Sequence, residues 1–107
     1  MKAKQKPYVA YEEGLSKRLR DPKYAARYLN TVLQDPNADV STFLLAVADV
    51  ARAHGMQEIA RKAHLHRVGL HKMLTKTGNP ELRSVMRIFK AANLGFTVEP
   101  KRLALAA

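Results

Sequence analysis

The chain has 107 residues, no cysteine, and 19 lysines and arginines against nine aspartates and glutamates, for a formal net charge of +10. This length suits one domain with a modest core, and the lack of cysteine excludes disulfides, thiol chemistry and zinc ribbons. No run reaches the roughly 18 apolar residues of a membrane span, and the charged start MKAKQKP lacks the apolar stretch of a signal peptide, so we expect a cytoplasmic location.

The positive charge is concentrated in the second half of the chain. Residues 1–56 carry nine basic and six acidic side chains, a net +3, whereas residues 57–107 carry ten and three, a net +7. Many small soluble proteins are basic without binding a polyanion, but a surplus of this size favours a polyanionic partner such as nucleic acid or anionic lipid. The second half is therefore where we expect a polyanion to bind.

Residues 1–18 are predicted to be a polar tail, and the first predicted helix follows at residues 22–34. Asp21 can cap this helix, and Pro22 suits its first position. Its apolar stripe consists of Tyr24, Ala25, Tyr28, Leu29 and Val32. Pro36 and the turn-forming residues around it then end the helix.

A second helix is predicted from Ser41, as its cap, to Gly55, which ends it. Its inward positions at helical spacing are Leu44, Val47, Ala48 and Ala51. Two short helices follow with a tight turn between them, MQEIARKA at residues 56–63 and HRVGLHKMLTK at residues 66–76. The first has barely two turns and cannot be stable alone, so the two must pack together.

The last predicted helix lies between Gly78 and Gly95. Gly78 suits the end of the preceding helix, Asn79 the cap of the next one, and Pro80 its first position. We expect this helix to bury Leu82, Val85, Met86 and Phe89. Beyond it, FTVEP at residues 96–100 alternates apolar and polar side chains, which favours a short strand.

The helix at residues 66–76 has two chemically different sides. At about 100° per residue, Leu70, Met73 and Leu74 share the side expected to be buried. The opposite side carries Arg67, Val68, His71, Lys72 and Thr75, with no acidic residue among them. In the DNA major groove, arginine and lysine reach guanine acceptors and a small apolar group meets the thymine methyl. The preceding short helix would cross the DNA backbone, where Gln57 can meet a phosphate, so the pair is predicted to be a helix-turn-helix.

Several stretches occur in a characteristic order: DPKYAARYLN, FLLAVADVARAHGM, IARKAHL with Arg67 and Leu70 after it, and GNPELRSVMRI. From about Leu19 to Val98 the chain resembles the HigA-like addiction-module antidote proteins of the Xre and lambda-repressor-like helix-turn-helix superfamily. The resemblance implies an all-α fold, a compact bundle of about five helices that includes an extra N-terminal helix. It also implies a double-stranded DNA operator bound by a homodimer, repression of the chain's own operon and a RelE/HigB-like toxin partner. Such a protein is bacterial or prophage-encoded and lies at the nucleoid when bound to its operator.

The outward face and the resemblance together give six candidate DNA-contacting residues: Gln57, His66, Arg67, Val68, His71 and Lys72. Two positions depart from the family pattern. His64 stands where the turn usually has glycine, so we expect a positive φ, which histidine adopts more readily than most residues. His66 stands where the family usually has a capping serine, a loss of about 1 kcal/mol. Gly69 inside the helix costs about 1 kcal/mol relative to alanine, so either DNA approaches closely there or a neighbouring helix crowds the position.

The predicted organisation has four parts: a polar tail at 1–18, a helical extension at 19–40, the helix-turn-helix domain at 41–95, and a short strand with a tail at 96–107. Candidate dimer contacts lie in the last helix and in FTVEP. The toxin could bind the helix at 22–34, through Tyr24 and Tyr28, or the basic C-terminal tail.

The histidines do not have the spacing of a metal site. His64 and His66 lie in and just after a turn, and His71 lies more than one helical turn beyond them. The only acidic residue near these histidines is Glu58, whereas a structural zinc ion needs four ligands. Paired carboxylates, a serine or threonine beside a histidine, and a glycine-rich phosphate loop are also missing. We therefore expect no enzyme, no metal, no cofactor and no membrane association. Two alternatives stay open: a stand-alone phage-type repressor without a toxin, and a basic protein-interaction module without an operator.

Overall fold

Six helices form the part of the chain that the structure describes. The computed structural model covers the backbone of residues 7–101 and the side chains of residues 13–101. The helices are α1 (Pro7–Leu19), α2 (Pro22–Gln34), α3 (Val40–His54), α4 (Met56–Ala63), α5 (Arg67–Met73) and α6 (Leu82–Ala91). No strand occurs within the described range, so the compact all-α prediction is confirmed, with six helices instead of about five. The outer parts of the predicted tails, residues 1–6 and 102–107, lie outside this range.

Helix α1 was not predicted, because residues 1–18 were expected to be a polar tail. Leu15 and Leu19, four residues apart and thus on one face, pack towards the core, and Leu19 is fully buried. Just after the helix, the Arg20 side chain donates from Nε to the carbonyl of Ala53 at 3.0 Å. Helix α1 packs against both α2 and α3.

Helix α2 begins and ends as its sequence predicts. Asp21 caps it by accepting a hydrogen bond from the N–H of Lys23 at 3.1 Å, and Pro22 occupies the first helical position. From the predicted stripe, Ala25 and Leu29 are fully buried, while the two tyrosines and Val32 are partly buried against the same core. The stripe was therefore predicted correctly.

Helix α3 is capped by Asp39, and the prediction that Ser41 caps it was wrong. The Asp39 carboxylate accepts hydrogen bonds from the N–H and the hydroxyl of Thr42, both at 2.9 Å. The backbone bond, ahead of the hydroxyl, lowers the pKa of Asp39. Ser41 instead donates its hydroxyl to the carbonyl of Lys76 at 2.8 Å. Its side chain therefore ties the start of α3 to the loop that follows α5.

The core lies around α3, which packs against α1, α2 and α4. All four predicted inward residues of α3 are buried, and α3 adds further small residues; its buried set is Leu44, Ala46, Val47, Ala48, Val50, Ala51 and Ala53. Beyond α3 the core includes Ile59, Ala60, Ala63, Leu70, Leu74, Val85, Ile88 and Phe89. The alanines allow close helix crossings, because only a methyl group separates the backbones there.

The loop between α5 and α6 differs from its prediction. Helix α5 ends at Met73, three residues before the predicted end, and a turn follows in which the N–H of Gly78 donates to the carbonyl of Thr75 at 2.9 Å. Gly78 lies so close to this end that a Cβ built on it would be 2.2 Å from the Met73 carbonyl oxygen. Asn79 and Pro80 were wrongly predicted as cap and first residue, since α6 begins only at Leu82.

Helix α6 is only partly buried along the predicted stripe. Val85 and Phe89 are buried as expected, and Ile88 joins them. The prediction was wrong for Leu82 and Met86, whose side chains are 66% and 49% exposed. The buried residues of α6 therefore lie towards one side of the predicted stripe, and Leu82 and Met86 on its other side are exposed.

The chain leaves α6 through a left-handed residue. Asn93 has φ 63°, and the N–H of Leu94 donates to the carbonyl of Phe89 at 2.8 Å, so the helix ends well before the predicted Gly95. The segment that follows does not form the predicted strand within the described residues. Phe96 stacks on the Phe89 ring instead, with centroids 4.4 Å apart. The domain boundaries given from the sequence stay a prediction.

Candidate nucleic-acid interface

Helix α4 exposes charged side chains that pair with one another. The Glu58 carboxylate accepts hydrogen bonds from Arg61, at 2.6 Å from Nη2 and 3.2 Å from Nε, and Lys62 Nζ lies 3.7 Å away. The hydrogen bond from Arg61 lowers the pKa of Glu58, and the same bond raises the pKa of Arg61. Arg61 is thus partly neutralised inside the chain, whereas the exposed Gln57 at the start of α4 has no such partner among the described residues.

A left-handed residue links α4 to α5. His64 has φ 57° and ψ 46°, which confirms the predicted positive φ. The N–H of Leu65 donates to the carbonyl of Ala60 at 2.9 Å, and the N–H of His64 to that of Arg61 at 3.3 Å. These are the paired bonds of a Schellman C-terminus. Histidine therefore provides here the turn that glycine usually provides, and the two short helices keep a defined mutual direction.

Helix α5 begins without a side-chain cap. His66 is extended, with φ −74° and ψ 139°, and its side chain makes no capping bond, as expected for the loss of serine. Its carbonyl accepts the first helical bond, from the N–H of Leu70 at 2.8 Å. Leu70 is fully buried, Leu74 nearly so, and Met73 partly. The helix is therefore held by its apolar side, as the sequence predicts.

The six predicted DNA-contacting residues all have exposed side chains: Gln57, His66, Arg67, Val68, His71 and Lys72. Five of them lie on α5 and its first cap position, and Gln57 lies on α4. Within residues 13–101 none of the six side chains takes part in a hydrogen bond or ion pair. From residue 59 to residue 80 the chain has no aspartate or glutamate. The outward face of α5 is therefore cationic, unpaired within the described chain, and flanked by no acid of its own segment.

Gly69 lies at the edge of this face, between Lys72 and the partly buried Met73. A Cβ built on Gly69 would meet only the Cβ of His66, at an ordinary 3.9 Å. The alternative that a neighbouring helix crowds this position is therefore wrong. The packing of the described chain therefore does not require a glycine at this position.

The fourth histidine lies apart from this face. Nε2 of His54 is buried and has no hydrogen-bond partner among residues 13–101. Burial, followed by the charges of Lys62 and Arg20, lowers the pKa of His54. No group of three or more His, Asp or Glu side chains in the described chain lies close enough to hold a metal ion. Likewise, none of the described helices is long and apolar enough to cross a membrane.

Sequence reasoning missed a second basic surface. Arg83, Arg87 and Lys90 are exposed and fall along one side of α6, since their spacing is i, i+4 and i+7. Two of them share a groove with Lys62 and His64 of the neighbouring α4 and its turn. The helical spacing of these basic residues was visible in the sequence and could have revealed the surface.

Comparison with known proteins identifies the family. A family model described as "Probable addiction module antidote protein" matches residues 10–100. An uncharacterized protein of Haemophilus influenzae is 47% identical over 77 residues, which make up 72% of this chain and 77% of that protein. No solved structure matches the chain. The antidote part of the resemblance is thereby confirmed, and its HigA and Xre assignment stays a prediction. The chain belongs to the family of probable addiction module antidote proteins, which implies an antitoxin role, a toxin partner, and a regulatory rather than an enzymatic protein.

Proposed function

We propose that the chain is a DNA-binding antitoxin of a type II toxin–antitoxin module. In this proposal α4, the His64 turn and α5 form a helix-turn-helix that binds the operator of the chain's own operon and represses it. The same protein neutralises a RelE/HigB-like toxin by direct contact. It acts as a homodimer in the bacterial cytoplasm, and at the nucleoid when it is bound to its operator.

The outward face of α5 is the observation that carries this proposal. Arg67 and Lys72 are exposed cations without a partner in the described chain, and Val68 between them is 67% exposed. An exposed apolar side chain between two free cations has little value for the fold, because it gains no burial. In a major groove the same three groups meet guanine acceptors and a thymine methyl.

Gly69 adds independent support. A helix-interior glycine costs about 1 kcal/mol relative to alanine, and the fold offers no packing reason for that cost. Close approach of a DNA backbone to α5 would explain the glycine, because a Cβ at this position would then meet the phosphate or sugar. The glycine is therefore part of the proposed interface.

The cations of α4 are assigned a different role. Arg61 is bound to Glu58, and Lys62 lies near the same carboxylate. A base contact by Arg61 would first have to break this pair. We therefore assign direct base reading to Arg67 and Lys72, and long-range attraction of DNA to Arg61 and Lys62.

For the toxin, the proposal favours Tyr24 over Tyr28 on α2. The guanidinium groups of Arg18 and Arg27 lie 5.5 and 6.0 Å from the centroid of the Tyr24 ring. Tyrosine and arginine are enriched among the residues that dominate protein interfaces. Tyr28, in contrast, donates its hydroxyl to Asp49 at 2.6 Å and is engaged inside the fold. The alternative toxin surface, the C-terminal tail, lies mostly outside the described residues.

A gel shift with the DNA upstream of the chain's own gene tests the proposal. We expect a specific complex that scrambled duplex of equal length does not compete away at physiological salt. Arg67→Ala should weaken it by about 1–3 kcal/mol and relax the preference for the base at one operator position. Arg61→Ala is the matched control and should weaken specific and scrambled complexes alike, and only modestly.

The absence of a specific shift from the folded protein would refute the proposal and leave a basic protein-interaction module. A specific shift without any toxin gene beside the operator would instead favour a stand-alone repressor. The antidote family favours the antitoxin over that alternative.

A further inference from the structure

A second group of apolar side chains lies at the edge of the core, which it meets at the buried Phe89. We call it the α2–α6 face and define it by Leu33, Val40, Phe43, Leu82, Met86, Phe89 and Phe96. Val40 is 72%, Leu82 66% and Leu33 60% exposed. Single exposed apolar side chains are ordinary on protein surfaces, but contiguous apolar patches mark interaction sites. Contiguity therefore decides whether these residues have a common role.

Ring contacts and shared grooves connect these residues. The Phe89 ring lies 4.4 Å from that of Phe96 and 6.2 Å from that of Phe43, measured between centroids. One shallow groove is lined by Val40 and Phe43, another by Phe89 and Phe96, and Leu33 lines both. The ends of α2 and α6 and the start of α3 thus form one surface.

Helix α6 extends this surface by a strip. At about 100° per residue, Leu82, Met86 and Phe89 follow one another along one edge of the helix. Phe89 closes over the core, while Leu82 and Met86 stay in solvent. The strip has the pattern of a buried helix face, but only its last residue is buried by the described chain.

Charges of opposite sign border the α2–α6 face. Asp35 and Asp39 lie on the α2–α3 side, where Asp39 lines the groove beside Val40. On the α6 side, Arg83, Arg87 and Lys90 occupy the edge next to Leu82 and Met86. A partner whose binding surface is bordered by charges of a single sign would meet charges of the same sign along one of these two sides, which is unfavourable.

We propose that the α2–α6 face binds a second copy of this chain across a two-fold axis. A two-fold axis pairs the same patch of both copies, so the acidic side of one copy faces the basic side of the other. The exposed apolar side chains of the face, among them Leu33, Leu82 and Met86, are covered at the same time. This inference deepens the proposed function, because it names the face that holds two copies of α5 for two operator half-sites.

The full chain, purified without toxin, tests the inference by sedimentation equilibrium. The wild-type protein should have about twice the 12.0 kDa mass of one chain. Met86→Arg should raise the dimer dissociation constant at least about thirtyfold, as expected for an arginine placed in an apolar interface next to the basic edge of the same copy. Leu82→Arg should act in the same direction. Both side chains are exposed, and far-UV circular dichroism should show unchanged helix content.

Leu45→Arg is the matched control. Leu45 is 43% exposed on α3 and lines neither groove, so this variant should stay dimeric. A monomeric wild-type protein, or a Met86→Arg protein that dimerises as tightly as Leu45→Arg, would overturn the inference. If the wild type is monomeric and Met86→Arg loses toxin binding, the face belongs to the toxin and the inference is equally overturned.

Failure of this inference can be told apart from failure of the proposed function. A monomer that still gives a sequence-specific shift on its operator overturns the dimer face and keeps the DNA-binding proposal. If the wild-type protein is a dimer that Met86→Arg breaks, but it gives no specific shift, the dimer face is kept and the DNA-binding proposal is overturned.

Discussion

Helices α5 and α6 present two kinds of outward face. On α5 the exposed residues are cations, histidine and one valine, and the apolar side chains lie in the core. On α6 an apolar strip and a basic strip lie side by side in solvent. Helical periodicity identifies the apolar side of both helices, but it does not show what covers that side. For α5 the fold itself covers it, whereas on α6 Leu82 and Met86 stay exposed in the described chain.

The largest effect on stability is expected at Gly78, which fixes the far end of α5. The Cβ of Gly78→Ala would lie 2.2 Å from a backbone oxygen of Met73, so the loop or the helix end has to move. We expect the free energy of unfolding to fall by about 1–3 kcal/mol, as for other overpacked sites, in urea denaturation. Gly95→Ala is the control, since no atom lies within 4 Å of its Cβ; equal stability of the two variants would contradict the close approach.

Gly69→Ala should separate the fold of α5 from its proposed contact with DNA. Alanine fits the position and favours the helix, so the free energy of unfolding should rise by up to about 1 kcal/mol. Affinity for the operator should nevertheless fall at least about tenfold, about 1.4 kcal/mol, because the methyl group would occupy the space of the DNA backbone. Unfolding curves and gel shifts on the same preparation measure both effects. A variant that gains stability and binds the operator unchanged would remove Gly69 from the interface.

The smallest effect is expected at His54, which belongs to neither outward face. Burial lowers its pKa below the usual 6.5, so the folded protein binds a proton less readily than the unfolded chain. Its contribution to stability is therefore complete above about pH 6.5 and is lost as the pH falls below it. Urea unfolding of wild type and His54→Gln at about pH 7.5 and about pH 5.5 should show this loss in the wild type alone. An identical pH dependence of both proteins would show that His54 titrates as in the unfolded chain.

Local signals in the sequence account for much of the fold and for the candidate site. The Asp21–Pro22 start of α2, the inward residues of α3 and the outward residues of α5 follow from capping chemistry and periodicity, and each agrees with the structure. The left-handed His64 was predicted from the family resemblance, because the family usually has glycine at this position of the turn.

Contacts between distant parts of the chain explain where the predictions from the sequence were wrong. Ser41 and Asp39 are both good caps, and Asp39 caps α3 while the Ser41 hydroxyl binds Lys76, far away in the sequence. Phe96 stacks on Phe89 and the segment has no partner strand within the described chain, so its alternating pattern does not become a strand. Whether Leu82 is covered by this chain or by another cannot be decided from periodicity, because both cases need the same apolar side chain.

One measurement compares the two outward faces directly: binding of wild type, Arg67→Ala and Met86→Arg to an intact operator and to a single half-site, followed by fluorescence anisotropy at physiological salt. We expect Arg67→Ala to lose base preference on both DNAs while its dimer mass is unchanged. Met86→Arg should bind the half-site with wild-type preference and lose only the additional affinity for the intact operator. If Arg67→Ala retains full specificity, α5 does not read the operator, and the central claim is contradicted.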